Sequence, residues 1–260
     1  LIKTLEAGGG VDTFQFRHLS FQEALFSSSL VDHVGPPLWP DSSTAARFLN
    51  DPYNKNVCRI GGASLSEALT RTLDALDFYH SLEGHGLDSL QNLLRLGGIR
   101  QLRSLDLNRT SIRDAHCTSI GAALLHGALA SLTKLKLGHN LIADDGVVAL
   151  MPAVAAGALG TLEELVLTDN NIGDRGMTAL AQVVQAPSMA LYNLVQLRLE
   201  RNKFAAEGAK VFAAALTNGA LAGLSELYLT RGDTLSVNKN MIIGRIDLEP
   251  LAAAVEKRAG

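Results

Sequence analysis

One apolar spacing recurs five times along the chain: Leu102, Leu105, Leu107; Leu132, Leu135, Leu137; Leu162, Leu165, Leu167; Leu194, Leu197, Leu199; and Leu224, Leu227, Leu229. Successive triplets are offset by 30, 30, 32 and 30 residues. Other columns keep the same step, namely Asn140, Asn170 and Asn202; Ile142, Ile172 and Phe204; Gly146, Gly176 and Gly208; and Leu150, Leu180 and Phe212. The Leu102 copy has Thr110 in the asparagine column, followed by Ile112. An earlier copy opens at Leu73, Leu76 and Phe78 with Gly86 and Leu90, one residue shorter between strand and glycine. A fixed period of this length marks an array of stacked units.

Within each unit the periodicity changes. The L-x-x-L-x-L segment alternates apolar and polar positions, which predicts a short strand with one buried face. Val147, Leu150, Val154 and Ala158, like Met177, Leu180 and Val184, then follow a step of three to four and predict a helix with one apolar stripe. A strand and helix of this size cannot bury both apolar faces alone, so neighbours must stack with strands inside and helices outside. Composition fits this arrangement: 45 Leu and 34 Ala among 260 residues give an aliphatic core and small residues where helices meet, and they exclude a disordered chain. The recurring asparagines read as structural, since a buried amide can satisfy backbone groups where the chain turns.

These residues and their period resemble leucine-rich repeats, and a 30-residue unit with a full helix is similar to the ribonuclease-inhibitor-like subclass. The resemblance spans about residues 73–235. It implies an α/β, right-handed leucine-rich-repeat solenoid, a horseshoe of parallel inner strands and outer helices, behind a helical or irregular N-terminal segment. Residues 73–260 are then expected to hold about six repeats, closed by a capping helix near Leu248, Leu251 and Val255. The stretch after Leu229, with Arg231, Gly232 and Asp233, reads as an insertion loop.

Upstream, Phe14, Phe16, Arg17, His18, Leu19, Ser20, Phe21, Gln22 and Glu23 resemble the end of the winged-helix region in NACHT-type NOD-like receptors. That resemblance implies that His18 senses the phosphate of nucleotide bound to a preceding NTPase domain. It makes residues 1–34 the end of a winged-helix-like region and the chain a C-terminal fragment of a longer protein. No G-x-x-x-x-G-K-[ST] loop occurs in the chain, so ATP or ADP is expected in an upstream NACHT domain and no cofactor in the chain itself. Residues 35–72 hold four of the seven prolines, Pro36, Pro37, Pro40 and Pro52, and read as a linker or irregular N-terminal cap. Trp39, Phe48 and Tyr53 are expected to cover the open end of the first repeat.

Charge and motif content narrow the function. Net charge is −3, and residues 102–235 carry 11 basic against 12 acidic side chains, so no basic stripe suits nucleic acid. No apolar run suits a membrane span, and two cysteines, Cys58 and Cys117, suit reduced thiols in the cytoplasm. The histidines form no H-E-x-x-H pair, no G-x-S-x-G elbow or C-x-x-C pair occurs, and Asp144 with Asp145 reads as a helix-start pair favoured by the dipole. Neither a metal nor an enzyme is expected.

Alternate strand residues share a side. The outward column therefore runs Asp77, Asp106, Lys136, Val166, Arg198, Tyr228. With the adjacent turns it gives a candidate partner-binding face of Asp106, Lys136, His139, Asp169, Arg198, Glu200, Arg201, Tyr228 and Arg231, rich in residue types that dominate binding energetics. Lys136 and Arg198 are both expected to be removable without unfolding. By resemblance, the chain is the monomeric, non-catalytic, autoinhibitory or protein-binding repeat region of an NLR-like signalling receptor in innate immunity, its partner a protein or the NACHT domain in cis. The alternatives are a regulator similar to Ran GTPase-activating proteins, or a pure protein inhibitor or assembly scaffold.

Overall fold

The computed structural model describes residues 2–5, 13–16, 19–95, 97–185, 190–229 and 234–236, with side chains described from residue 22 to 229 within them. An antiparallel ribbon of β1 (Ile2–Leu5) and β2 (Thr13–Phe16) precedes helices α1 (Leu19–Val31), α2 (Ser42–Asn50) and α3 (Asn54–Thr70). Strand and helix then alternate: β3 (Ala75–Asp77), α4 (Gly84–Leu94), β4 (Ser104–Asp106), α5 (Asp114–Leu125), β5 (Lys134–Lys136), α6 (Asp144–Ala155), β6 (Glu164–Val166), α7 (Asp174–Gln185), β7 (Gln196–Arg198), α8 (Ala206–Thr217) and β8 (Glu226–Tyr228). A last strand, β9 (Thr234–Ser236), follows.

Strands β3 to β8 pair in parallel and in chain order, which places Leu76, Leu105, Leu135, Leu165, Leu197 and Leu227 side by side in one buried row. The helix stripes meet this row from the other side: Val147, Leu150 and Val154 of α6 and Met177, Leu180 and Val184 of α7 are all buried, while Ala158 falls beyond the end of its helix. The result is the expected open α/β leucine-rich-repeat solenoid, with one continuous aliphatic core between sheet and helices. The stretch after Leu229 departs from the insertion loop. Its strand β9 pairs antiparallel with β8, Leu235 opposite Leu227, and occupies the outer edge of the sheet.

Two ladders of polar side chains stitch the repeats together. Asn140 is buried, its Oδ1 accepting from Thr110 N and Ile112 N at 3.1 and 3.0 Å, while its Nδ2 donates to Leu107 O and Leu137 O at 2.8 and 3.0 Å. Asn170 repeats the pattern one unit on, with Ile142 N at 3.0 Å and Leu137 O and Leu167 O at 2.9 and 3.1 Å. Each amide therefore bonds its own repeat and the one before it. The second ladder is acidic: Asp144 Oδ1 accepts from Gly173 N and Gly176 N at 2.6 and 2.9 Å, and Asp174 Oδ1 from Ala205 N and Gly208 N at 2.7 and 2.9 Å. The recurring glycines follow from it, because a Cβ on Gly176 or Gly208 would lie 2.7 or 2.5 Å from that carboxylate oxygen. Asp144 thus links neighbouring repeats, beyond the dipole role expected from sequence; Asp145 pairs with Arg175 on the exposed surface instead.

Ahead of the repeats, the helices α2 and α3 replace the irregular cap expected over much of 35–72. The prolines mark helix ends: Pro36, Pro37 and Pro40 precede α2, and Pro52 lies between α2 and α3, where a missing N–H breaks no helical bond. Asp41 caps α2 by accepting from Thr44 N at 2.7 Å, and this bond holds its carboxyl below the ordinary range. Ser42 Oγ accepts the Asp77 N–H at 2.8 Å, so α2 covers the free edge of β3. Trp39 is buried and packs edge-on against Phe48 at 5.5 Å. Tyr53 differs from expectation: it is 38% exposed and leans toward Phe26 of α1, because it sits at the start of α3 on the α1 side.

Cys58 and Cys117 are free and buried, and burial pushes both thiols up to about 12. At neutral pH the reactive thiolate is then scarcer by some three orders of magnitude than in an ordinary thiol. Maleimide is expected to label neither cysteine in the native protein over minutes and both in urea, as counted by mass spectrometry. Prompt native labelling would show that the core opens at these sites.

Candidate functional site

Besides Lys134 with Glu164 at 3.7 Å, the outward side chains of β4 to β8 and of the turns after them include three groups. Lys136 Nζ lies 3.4 Å from Asp106 Oδ2 on the neighbouring strand. His139 Nδ1 lies 2.7 Å from Asp169 Oδ2, which Arg201 approaches from the other side at 3.7 Å. The third group is the most tightly built: Arg198 donates to Glu200 Oε1 through Nε and Nη2 at 3.0 and 2.6 Å, and its guanidinium carbon lies 4.9 Å from the Tyr228 ring centroid. Thr168 Oγ1 donates to Glu200 Oε2 at 2.9 Å, and Tyr228 Oη donates to Glu226 Oε2 at 3.0 Å.

Glu200 is 7% exposed, so these partners supply the hydrogen bonds that water would otherwise give its carboxylate. The hydrogen bond to Glu200 also holds the Arg198 guanidinium above its ordinary pKa, against the opposing effect of desolvation. This separates two residues that sequence made equivalent. Lys136 makes one 3.4 Å contact to a largely buried Asp106 that keeps its bond from Asn108 N, whereas removing Arg198 takes two hydrogen bonds from a buried carboxylate. Val166, between Lys136 and Arg198 in the same column, is buried despite its outward position.

The turns after the strands show a further regularity. His80, Arg109, His139, Asp169 and Arg201 all have φ between 54° and 59°, in the left-handed region that glycine occupies most easily. The conformation lets the N–H of His80, Arg109, His139 and Asp169 donate to the next repeat, as His139 N does to Thr168 O at 2.7 Å and Asp169 N to Glu200 O at 2.8 Å. Every one of these positions carries a ring or a charge, aligned along the rim of the strand face.

Of the nine residues proposed from sequence, the structure gathers Asp106 and Lys136; His139, Asp169 and Arg201; and Arg198, Glu200 and Tyr228. Arg231 and His18 lie outside the described residues, as do Gly232, Asp233 and the closing helix near Leu248, Leu251 and Val255. Sequence reading missed Thr168, Gln196 and Glu226, although Gln196 Nε2 donates to Glu226 Oε2 at 2.6 Å within the same cluster. Their signal was available, since all three are outward positions of the strand or the turn just after it. Among the described residues no group of three His, Cys, Asp or Glu is placed to hold a metal ion, and no described helix is long and apolar enough to cross a membrane.

A family model described as Leucine Rich repeat matches residues 128–151 and 161–181, which cover the units of β5 with α6 and β6 with α7. No curated protein sequence matches the chain. Family match and architecture agree on a leucine-rich-repeat scaffold, a type of solenoid whose curvature creates extended protein-binding surfaces.

Proposed function

We propose that the chain is the repeat region of an NLR-like signalling receptor, of the ribonuclease-inhibitor-like repeat subclass, and that its strand face grips a protein partner or the receptor's own NACHT domain. The contact set is Asp106, Lys136, His139, Asp169, Arg198, Glu200, Arg201, Tyr228 and Arg231. The observation that carries the reading is the cluster of Arg198, Glu200 and Tyr228, where an Arg stacked on a Tyr, the first hydrogen-bonded to Glu200 and the second to Glu226, is held in a fixed geometry before any partner arrives. The 12-residue helices of α5 to α8 and the 30-residue step support the subclass.

In this reading the region is non-catalytic, cytoplasmic and monomeric, and works sterically. Autoinhibition would require the strand face to bind the closed receptor more tightly than the open one, since equal affinity for both shifts nothing. His18 would report nucleotide bound upstream, by resemblance of its segment to the winged-helix motif.

The test uses the whole chain as bait, native or carrying Lys136→Ala with Arg201→Ala, and Arg175→Ala as a control on the helical surface. The double variant is expected to keep its urea midpoint within about 1 kcal/mol of native stability, because the Arg201 pair is exposed and Asp106 keeps its bond from Asn108 N when Lys136 is removed. It should lose at least tenfold in affinity for a co-purifying protein or a separately expressed NACHT domain, while the control binds as native. Equal binding by all three proteins would remove the strand face from the mechanism.

A further inference from the structure

The acidic ladder between the helices stops at one junction. From α5 onward, the aspartate that starts each helix accepts the N–H of the residue just before the next helix. Asp114 takes Ala143 N at 2.7 Å, Asp144 takes Gly173 N at 2.6 Å and Asp174 takes Ala205 N at 2.7 Å. One step of 30 before Asp114 stands Gly84, the first residue of α4, which has no carboxylate to offer Arg113 N. The glycine column departs at the same junction, since His116 stands between Gly86 and Gly146.

The two departures belong together. A Cβ at Gly146, Gly176 or Gly208 would lie 2.5 to 2.7 Å from the aspartate Oδ1 of the previous repeat, so the carboxylate requires glycine opposite it. With Gly84 in the aspartate column that crowding is absent, and a side chain fits at position 116. His116 supplies the missing acceptor itself: Arg113 N donates to its Nδ1 at 2.9 Å. This is the half of a capping box in which a side chain of the first turn bonds the cap N–H. An accepting nitrogen carries no proton, so the ring is neutral with its hydrogen on Nε2.

The substitution changes how the junction responds to acid. A carboxylate keeps its charge well below neutral pH, whereas an imidazole ordinarily titrates at about 6.5. Partial burial lowers the His116 pKa from that value, Asp88 of α4 opposes the shift, and Arg113 adds to it. Asp88 is itself held by Lys55 of α3 at 2.7 Å. The other charged or titratable groups at this level are Glu83 and His85 of α4, Asp114 beside the ring, and Asp144 and Asp145 of α6. Asp114, Asp144 and Asp145 are engaged with Ala143 N, Gly173 N and Arg175. Because the folded chain favours the neutral ring, the stability this bond adds is complete above about pH 6.5 and is lost as pH falls through the lowered value.

We propose that His116 is a proton switch at the α4/α5 junction: a proton taken up at Nδ1 frees the Arg113 N–H and opens the first turn of α5 in mild acid, while the carboxylate junctions from α5 to α8 hold. The protonated ring also sets a cation at the positive end of the α5 dipole. The junction has little packing behind it, since α4 and α5 meet less closely than any other neighbours from α4 to α8. The opening stays local, because Ile112 N still donates to Asn140 Oδ1 at 3.0 Å and Ile112 O accepts from Leu141 N at 2.8 Å. The switch does not depend on what the strand face binds.

Amide exchange of the 260-residue protein, expressed as protection relative to an unstructured chain, is compared at about pH 7.5 and about pH 5, on either side of an ordinary imidazole pKa. Protection at Arg113 and Cys117, whose N–H groups close the start of α5, should fall about tenfold, the scale of a lost cap. The equivalent amides of Ala143 and Val147 in α6, and of Gly173 and Met177 in α7, should keep theirs. His116→Gln retains an uncharged acceptor and should hold protection at both pH values. His116→Gly combined with Gly84→Asp rebuilds the carboxylate junction and should do the same, since a Cβ at Gly84 meets nothing within 4 Å. The proposal is overturned if native protection at Arg113 and Cys117 is the same at both pH values, if α6 and α7 lose it equally, or if either variant loses it in acid as the native chain does.

Discussion

Leu165→Asp is expected to abolish cooperative folding of the central repeats. Leu165 stands in the middle of the sheet, between Leu135 and Leu197, and is buried with them against the helix stripes of α6 and α7. A carboxylate there has neither water nor a cation to meet, so the loss is on the order of 5 kcal/mol, comparable to the whole stability of an ordinary domain. Because each repeat leans on its neighbours, the damage should spread along the stack. Amide exchange should lose protection in β5 and β7 as well as β6. A urea midpoint within 1 kcal/mol of native, by circular dichroism, would mean that the row of leucines is not the core.

Asn170→Ala is the second large effect, at about 3 kcal/mol. Removing the amide deprives the buried Ile142 N–H of its acceptor and takes one of two amide donors from each of the Leu137 and Leu167 carbonyls, which keep Asn140 and Asn202. Thr110 shows what a hydroxyl can rescue in this column: its Oγ1 donates to Leu107 O at 2.7 Å but reaches no earlier repeat. Asn170→Thr should therefore fall between native and Asn170→Ala in urea melts, recovering the Leu167 bond and not the one to Ile142. Equal stability of all three proteins would show that water, and not the amide, serves these groups.

The strand and helix registers were legible in sequence because they depend on short-range periodicity repeated many times, and so was the structural role of Asn140, Asn170 and Asn202. The acidic ladder was half legible. Asp114, Asp144 and Asp174 recur in step with the glycines, yet their position at helix starts offered a sufficient local explanation and hid the bond to the next repeat. The pairing on the strand face was not legible, since Arg198 and Lys136 occupy equivalent positions and differ in what lies beside them. Glu200 reads as a surface acid in one dimension and is buried in three. Prolines misled over 35–72 because four of them in a short stretch look like irregular chain, whereas each sits where a helix can begin or end.

Strand β9 has a consequence for size. A parallel stack carries no instruction to stop, since each repeat presents the next with the same row of leucines and the same backbone groups. By running the other way along β8, β9 takes the edge that a seventh parallel strand would need, while α2 covers the edge of β3. Among the described residues the parallel face between them is therefore six strands wide, about 24 Å from β3 to β8 over five spacings of roughly 4.8 Å. A ruler of that length fits an α-helix of about 16 residues laid across the strands, and a longer partner must overhang it or bend.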